Sequence, residues 1–149
     1  MNSKTGAGGY NTALGNQANA SGTSAVAIGN TATASGLNAT AVGYNLTASG
    51  DNSFAGGSQA QASGAGATAL GGNATAGAKA GASDSIAIGG QASISTTASS
   101  GIGIGRGVWS MASSALRWAT RLPQPATTPS PLARTQDRWG RAPGRLPWV

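Results

Sequence analysis

The sequence predicts an all-β solenoid, a parallel β-roll of fourteen-residue coils, and three observations predict it. A glycine falls at every seventh position from Gly8 through Gly15, Gly22, Gly29, Gly36, Gly43, Gly50, Gly57 and Gly64 to Gly71. So strict a period marks one small unit used again and again. The stretches between these glycines come in two alternating kinds, which doubles the true repeat to fourteen residues. One kind reads NTATASG (30–36), NLTASG (45–50) and QAQASG (59–64); the other reads SAVAIG (24–29), NATAVG (38–43), NSFAGG (52–57) and GATALG (66–71). Within a stretch, side chains alternate. In SAVAIG, Ala25 and Ala27 share one face while Val26 and Ile28 share the other, which is the two-residue period of a strand.

A seven-residue period also suits a coiled coil, but the composition rejects it. Glycine in a helix costs about 1 kcal/mol relative to alanine, and Asn, Ser and Thr fill the remaining places. Short strands separated by Gly-Asn, Gly-Thr or Gly-Ser turns fit instead. Two strands and two turns per fourteen residues make a flattened coil of the solenoid kind.

The first strand face is nearly all alanine down the chain: Ala18/Ala20, Ala25/Ala27, Ala32/Ala34, Ala39/Ala41, Ala60/Ala62, Ala67/Ala69 and Ala74/Ala76. That face is expected inside the coil, where two closely spaced strands leave room only for methyl groups. Leu46 and Ser53 depart from it, in neighbouring half-coils.

The second face differs between the two halves. In one it is polar: Asn19/Ser21, Thr33/Ser35, Thr47/Ser49 and Gln61/Ser63. In the other it carries Leu14, Val26, Ile28, Val42, Phe54, Leu70, Ile86, Ile88, Ile102 and Ile104, with Thr12, Thr40 and Thr68 among them. A continuous apolar stripe on a solenoid marks an interaction surface. Ten such side chains, at roughly 1.5–3 kcal/mol each, would contribute on the order of 15–30 kcal/mol if buried. Symmetric self-association is the simplest way to bury the same stripe on every copy.

After Gly71 the register loosens: SIAIGG (85–90) and GIGIG (101–105) continue the apolar half with insertions between them. A compositional boundary follows. All six prolines, all four tryptophans and all seven arginines lie after position 105, so residues 1–105 are net neutral and residues 106–149 carry the whole formal charge of +6. The expected division is a repeat region, 1–105, and a basic, poorly ordered tail, 106–149. Cysteine and histidine are absent, and the three aspartates Asp51, Asp84 and Asp137 are isolated. That removes disulfides, thiol nucleophiles and imidazole acid–base chemistry, so neither an enzyme nor a cofactor or metal site is expected. The opening residues MNSKTGAGGY hold no apolar run of the signal-peptide kind, and no stretch suits a membrane helix. No direct membrane insertion by this chain is expected.

With SAVAIG, NATAVG and SIAIGG interleaved with NTATASG-type halves, residues of about 8–105 resemble the YadA-like head, or haemagglutinin-type, repeats of trimeric autotransporter adhesins. The resemblance implies a left-handed parallel β-roll in which three chains pack their apolar faces together. It also implies display on the outer membrane and attachment to host extracellular matrix proteins or the host cell surface. No neck motif, heptad stalk or membrane anchor is recognisable in the sequence.

Other signals have plainer readings. GIGIGRG (101–107) superficially resembles a phosphate-cradling loop, yet Ile102 and Ile104 continue the stripe and no βαβ pattern follows. The Asn-X-Ser/Thr triplets at Asn19, Asn38, Asn45 and Asn73 fit turns or a solvent-facing strand position rather than glycosylation. A Thr/Ser face could meet ice or carbohydrate, but Asn19 and Gln61 interrupt the column of Thr33, Thr47 and Thr75. The longer loop after Gly71, with Lys79 and Asp84, reads as a tolerated insertion. Arg and Trp in the tail would suit nucleic acid, but a different origin explains them better, and no nucleic-acid partner is expected. Read from the third base of each codon, the Arg117/Trp118 overlap must be NTG, an apolar residue, and the Trp118/Ala119 overlap must be GGC, a glycine. Glycine is permitted again at Pro125/Ala126 and Leu132/Ala133 and is forced at Trp139/Gly140. The tail thus reads as the same repeats in a shifted frame, with a slip within about 106–116.

Overall fold

A computed structural model describes residues 2–7, 9–73 and 75–118. The chain forms two eight-stranded parallel sheets and, among the described residues, no helix. Sheet A stacks β1 (Lys4–Thr5), β3 (Asn19–Ala20), β5 (Thr33–Ala34), β7 (Thr47–Ala48), β9 (Gln61–Ala62), β11 (Lys79–Ala80), β13 (Ser93–Ile94) and β15 (Trp109–Ser110). Sheet B stacks β2 (Thr12–Leu14), β4 (Val26–Ile28), β6 (Thr40–Val42), β8 (Phe54–Gly56), β10 (Thr68–Leu70), β12 (Ile86–Ile88), β14 (Ile102–Ile104) and β16 (Leu116–Trp118). Successive strands in sequence belong to opposite sheets, so the chain winds as a solenoid of about eight coils, as the fourteen-residue repeat predicts.

Turns close each half-coil by a recurring device. Ala39 N–H donates to the Gly36 carbonyl at 3.2 Å, and Ser53 N–H to that of Gly50 at 3.2 Å. The residue before each of those donors sits in the left-handed region, Asn38 at φ 54° and Asn52 at φ 55°, which asparagine tolerates better than most residues. Turns also bond between coils. Asn52 N–H reaches the Leu37 carbonyl at 2.7 Å, so backbone pairing continues around the corner.

Glycine is required at both corners by neighbouring coils. A methyl group added at Gly36 would overlap the Gly50 carbonyl, and Gly43 combines φ 142° with the Gly57 carbonyl above it. At these two positions a Cβ has no room between the stacked coils, although Ala82 and Thr96 hold the slot of Gly36 in later coils.

The interior is the predicted alanine face. Ala18, Ala20, Ala25, Ala27, Ala32, Ala34, Ala39 and Ala41 are fully buried, and the column runs on through Ala67 and Ala69. Leu46 and Ser53 are both interior. One assignment is corrected. Ala74 and Ala76 do not continue the column: Ala78 and Ala80 do, because Lys79 rather than Thr75 pairs with Gln61. Ala76 is only partly buried, and Ala74 lies outside the described residues. Four extra residues are therefore taken up in the corner between β10 and β11, where Ala78 N–H returns to the Gly71 carbonyl at 3.0 Å.

The first coil also differs slightly. Lys4 pairs with Asn19, one residue more than a fourteen-residue step, and Gly8 lies outside the described residues. At the other end the coils continue past position 105: β15 pairs with β13 and β16 with β14. Backbone pairing persists here although the side-chain pattern has changed. The tail expected to be poorly ordered lies, from residue 119 on, outside the described residues.

Candidate interaction surface

Sheet B presents its outward side chains in two columns, because each three-residue strand turns its first and third residues away from the alanine interior. Pairing sets Thr12, Val26, Thr40, Phe54, Thr68, Ile86, Ile102 and Leu116 in one column. The other runs Leu14, Ile28, Val42, Gly56, Leu70, Ile88, Ile104 and Trp118. All ten residues expected in the stripe share this face: Leu14, Val26, Ile28, Val42, Phe54, Leu70, Ile86, Ile88, Ile102 and Ile104. Leu14, Val42, Phe54 and Leu70 are exposed, and the six others are partly covered by their neighbours in the stack.

Gly56, the only glycine in these columns, leaves no gap. A Cβ there would come within 2.9 Å of both Phe54 Cε1 and Leu70 Cδ1, so the Phe54 ring and the Leu70 side chain already cover the site. The stripe stays continuous across the one coil that lacks a side chain in the second column.

Two members were missed by reading the repeats only to 105. Leu116 and Trp118 extend both columns, 67% and 68% exposed. The Ser-Ser-Ala-Leu string before Arg117 resembles Thr-Ser-Ala-Val before Ala27 and is the sequence signal that would have placed Leu116. Apolar character increases along the stack. Thr alternates with larger residues up to Thr68, whereas from Ile86 onward every outward residue is large and apolar.

Sheet A is different in kind. Its outward column is Lys4, Asn19, Thr33, Thr47, Gln61, Lys79, Ser93 and Trp109, with exposed Ser21, Ser35, Ser49 and Ser63 beside it. Among the described residues it has shallow grooves, one of about 370 Å³ among Asn2, Lys4, Gln17, Asn19, Thr31 and Thr33, and one of about 300 Å³ beside Lys79 and Ser93. Threonine ranks are broken by Asn19, Gln61 and Lys79, so the regular lattice an ice face needs is not formed. No cluster of metal-ligating residues occurs among the described residues, and no helix there is long and apolar enough to cross a membrane.

The described residues form a parallel β-solenoid with one polar and one apolar outer face. The profile of the YadA head domain repeat matches residues 12–32, 20–45 and 47–75. These segments match the YadA head domain repeat, the repeat of adhesin-type heads. No curated protein matches the chain.

Proposed function

We propose that the chain is the head of a cell-surface adhesin that works as a homotrimer, three copies burying the sheet B stripe against one another. The observation that carries this reading is the asymmetry of the two outer faces. Every coil from β2 to β16 adds at least one large apolar side chain to sheet B's outward face, while sheet A's is hydroxyl, amide and ammonium until Trp109. A two-column apolar face of this length is costly to leave in water. Burying it by a closed symmetric contact uses the same surface on every copy.

On this reading the sheet A faces and corners point outward and carry the attachment, to host extracellular matrix proteins or the host cell surface. Contacts there are small polar side chains repeated coil after coil, so each is weak and the sum is avidity. Light scattering on the full chain tests the assembly: three times the chain mass is expected, and a stable folded monomer overturns it. Binding of the same protein to immobilised matrix proteins and to host cells tests attachment, with retention expected on at least one and none on bare supports.

A further inference from the structure

The fourteen-residue repeat, counted on from the last paired coil, says which residue type each later codon of an unbroken repeat would hold. Trp118 pairs with Ile104, so the repeat calls for a glycine codon next, as Gly105 follows Ile104. By the same count position 112 matches the corner slot of Gly22 and position 117 the interior column, and the repeat calls for alanine codons at 122, 124, 129 and 131. In frame, residues depart from the repeat at particular places: Trp109 stands in the polar column of sheet A, and the exposed Arg117 pairs with Gly103 of the interior column, although Val108 and Ser110 are still buried in that column.

The frame that starts on the third base of each codon suits the repeat. Met is always ATG and Ala always GCN, so the Met111/Ala112 overlap is GGC, a forced glycine in the slot at 112. Trp118/Ala119 gives a second forced glycine in the slot at 119, and Arg117/Trp118 forces Leu, Met or Val into the stripe slot at 118. Leu116/Arg117 permits alanine at 117, as do the overlaps filling 122, 124, 129 and 131. Ser130, read with the last base of Pro129, permits Phe, Leu, Ile or Val at the stripe slot at 130. Glycine is permitted at 126 and 133 and forced at 140. Beyond 140 the step lengthens: 147 does not permit glycine and 149 forces it, the same two-residue offset that separates Gly89 from Gly105.

We propose that residues from 117 onward are translated out of frame from a sequence that encodes further coils of this solenoid, and that the reading frame was lost by a one-base deletion, or its equivalent, between codons 105 and 117. Arginine, proline and tryptophan then mark no partner. They are what Ala-, Gly- and Thr-rich repeat codons become when read one base out.

The nucleotide sequence of codons 105–149 tests this. Expected are an open shifted frame from 117 to 140, glycine codons at 126 and 133, and small residues at the codons where the repeat calls for alanine. A stop in that frame, or a non-glycine codon at either 126 or 133, overturns it. A second readout uses protein made from the gene with one base added between codons 105 and 117. Its protease-resistant core is expected to lengthen beyond that of the present chain, and a core no longer than before overturns the proposal.

Discussion

The Cδ1 of Ile94 lies 2.8 Å from where a Cβ of Gly103 would stand, and its Cγ2 is 3.2 Å from the corresponding point at Gly101. One isoleucine on the sheet A side thus fills interior space that two alanines fill in most other coils. Either change alone should be damaging. Ile94→Ala leaves a cavity and should cost roughly 2–5 kcal/mol, and Gly103→Ala overpacks by roughly 1–3 kcal/mol. The double variant restores the common alanine pairing, so its loss should fall short of the sum by about 1 kcal/mol or more. Denaturant melts of the four proteins measure the coupling, and strict additivity would contradict this packing.

Ser53 occupies an alanine slot, and its Oγ is buried with no hydrogen-bond partner. Replacing it with alanine removes an unpaired polar group without opening a cavity of consequence. Ser53→Ala is expected to stabilise by about 1 kcal/mol. Ser85 is the control: its Oγ donates to the Ala82 carbonyl at 2.6 Å, so Ser85→Ala should give no such gain in the same melts.

Two glycines with positive φ should respond unequally to alanine. Gly43 has the Gly57 carbonyl and the Leu46 Cδ2 against it, whereas Gly107, at φ 70°, has nothing within 4 Å of an added Cβ. Gly107→Ala therefore bears only the backbone penalty, about 1–2 kcal/mol. Gly43→Ala must also push two coils apart, and should cost clearly more or prevent folding.

Ile28→Asp places a charge in the sheet B stripe, and Ser35→Asp places one on the exposed polar side. If the stripe is buried between copies, the first should dissociate or unfold the assembly while the second changes stability by less than about 0.5 kcal/mol. Sedimentation velocity on both variants distinguishes them.

Deleting residues 73–76 should shorten the corner between β10 and β11 to four intervening residues, as between β8 and β9, and restore the fourteen-residue step from Gln61 to Lys79. An unchanged melt and unchanged binding are expected of a tolerated insertion. Lost binding with folding intact would instead make the corner a contact site.

Both sheets and the sheet B columns were legible in the sequence because glycine fixed the corners and alternation fixed the faces. Val26 and Ile28, or Ile102 and Ile104, needed only a two-residue period and a known corner to be placed. The interior at Ala78 and Ala80 was not legible: Ala74-Thr75-Ala76 imitates a strand of the polar half, and only the pairing of Lys79 with Gln61 shows which string is used. A lysine suits that column because its ammonium reaches water past the polar neighbours, a tolerance that alternation alone does not reveal. The stripe's last members, Leu116 and Trp118, were obscured because composition changes at Arg106 while backbone pairing, indifferent to side-chain identity at the end of a stack, continues.

The inter-coil bonds at the corners give the solenoid a simple metric. Parallel strands stack at about 4.8 Å, and each fourteen-residue coil repeats nearly the same cross-section. Gaining or losing fourteen residues therefore moves the tip by one strand spacing without reshaping the sides. The length of the solenoid then becomes a quantity that duplication can adjust in fixed increments, independently of whatever the lateral surfaces hold.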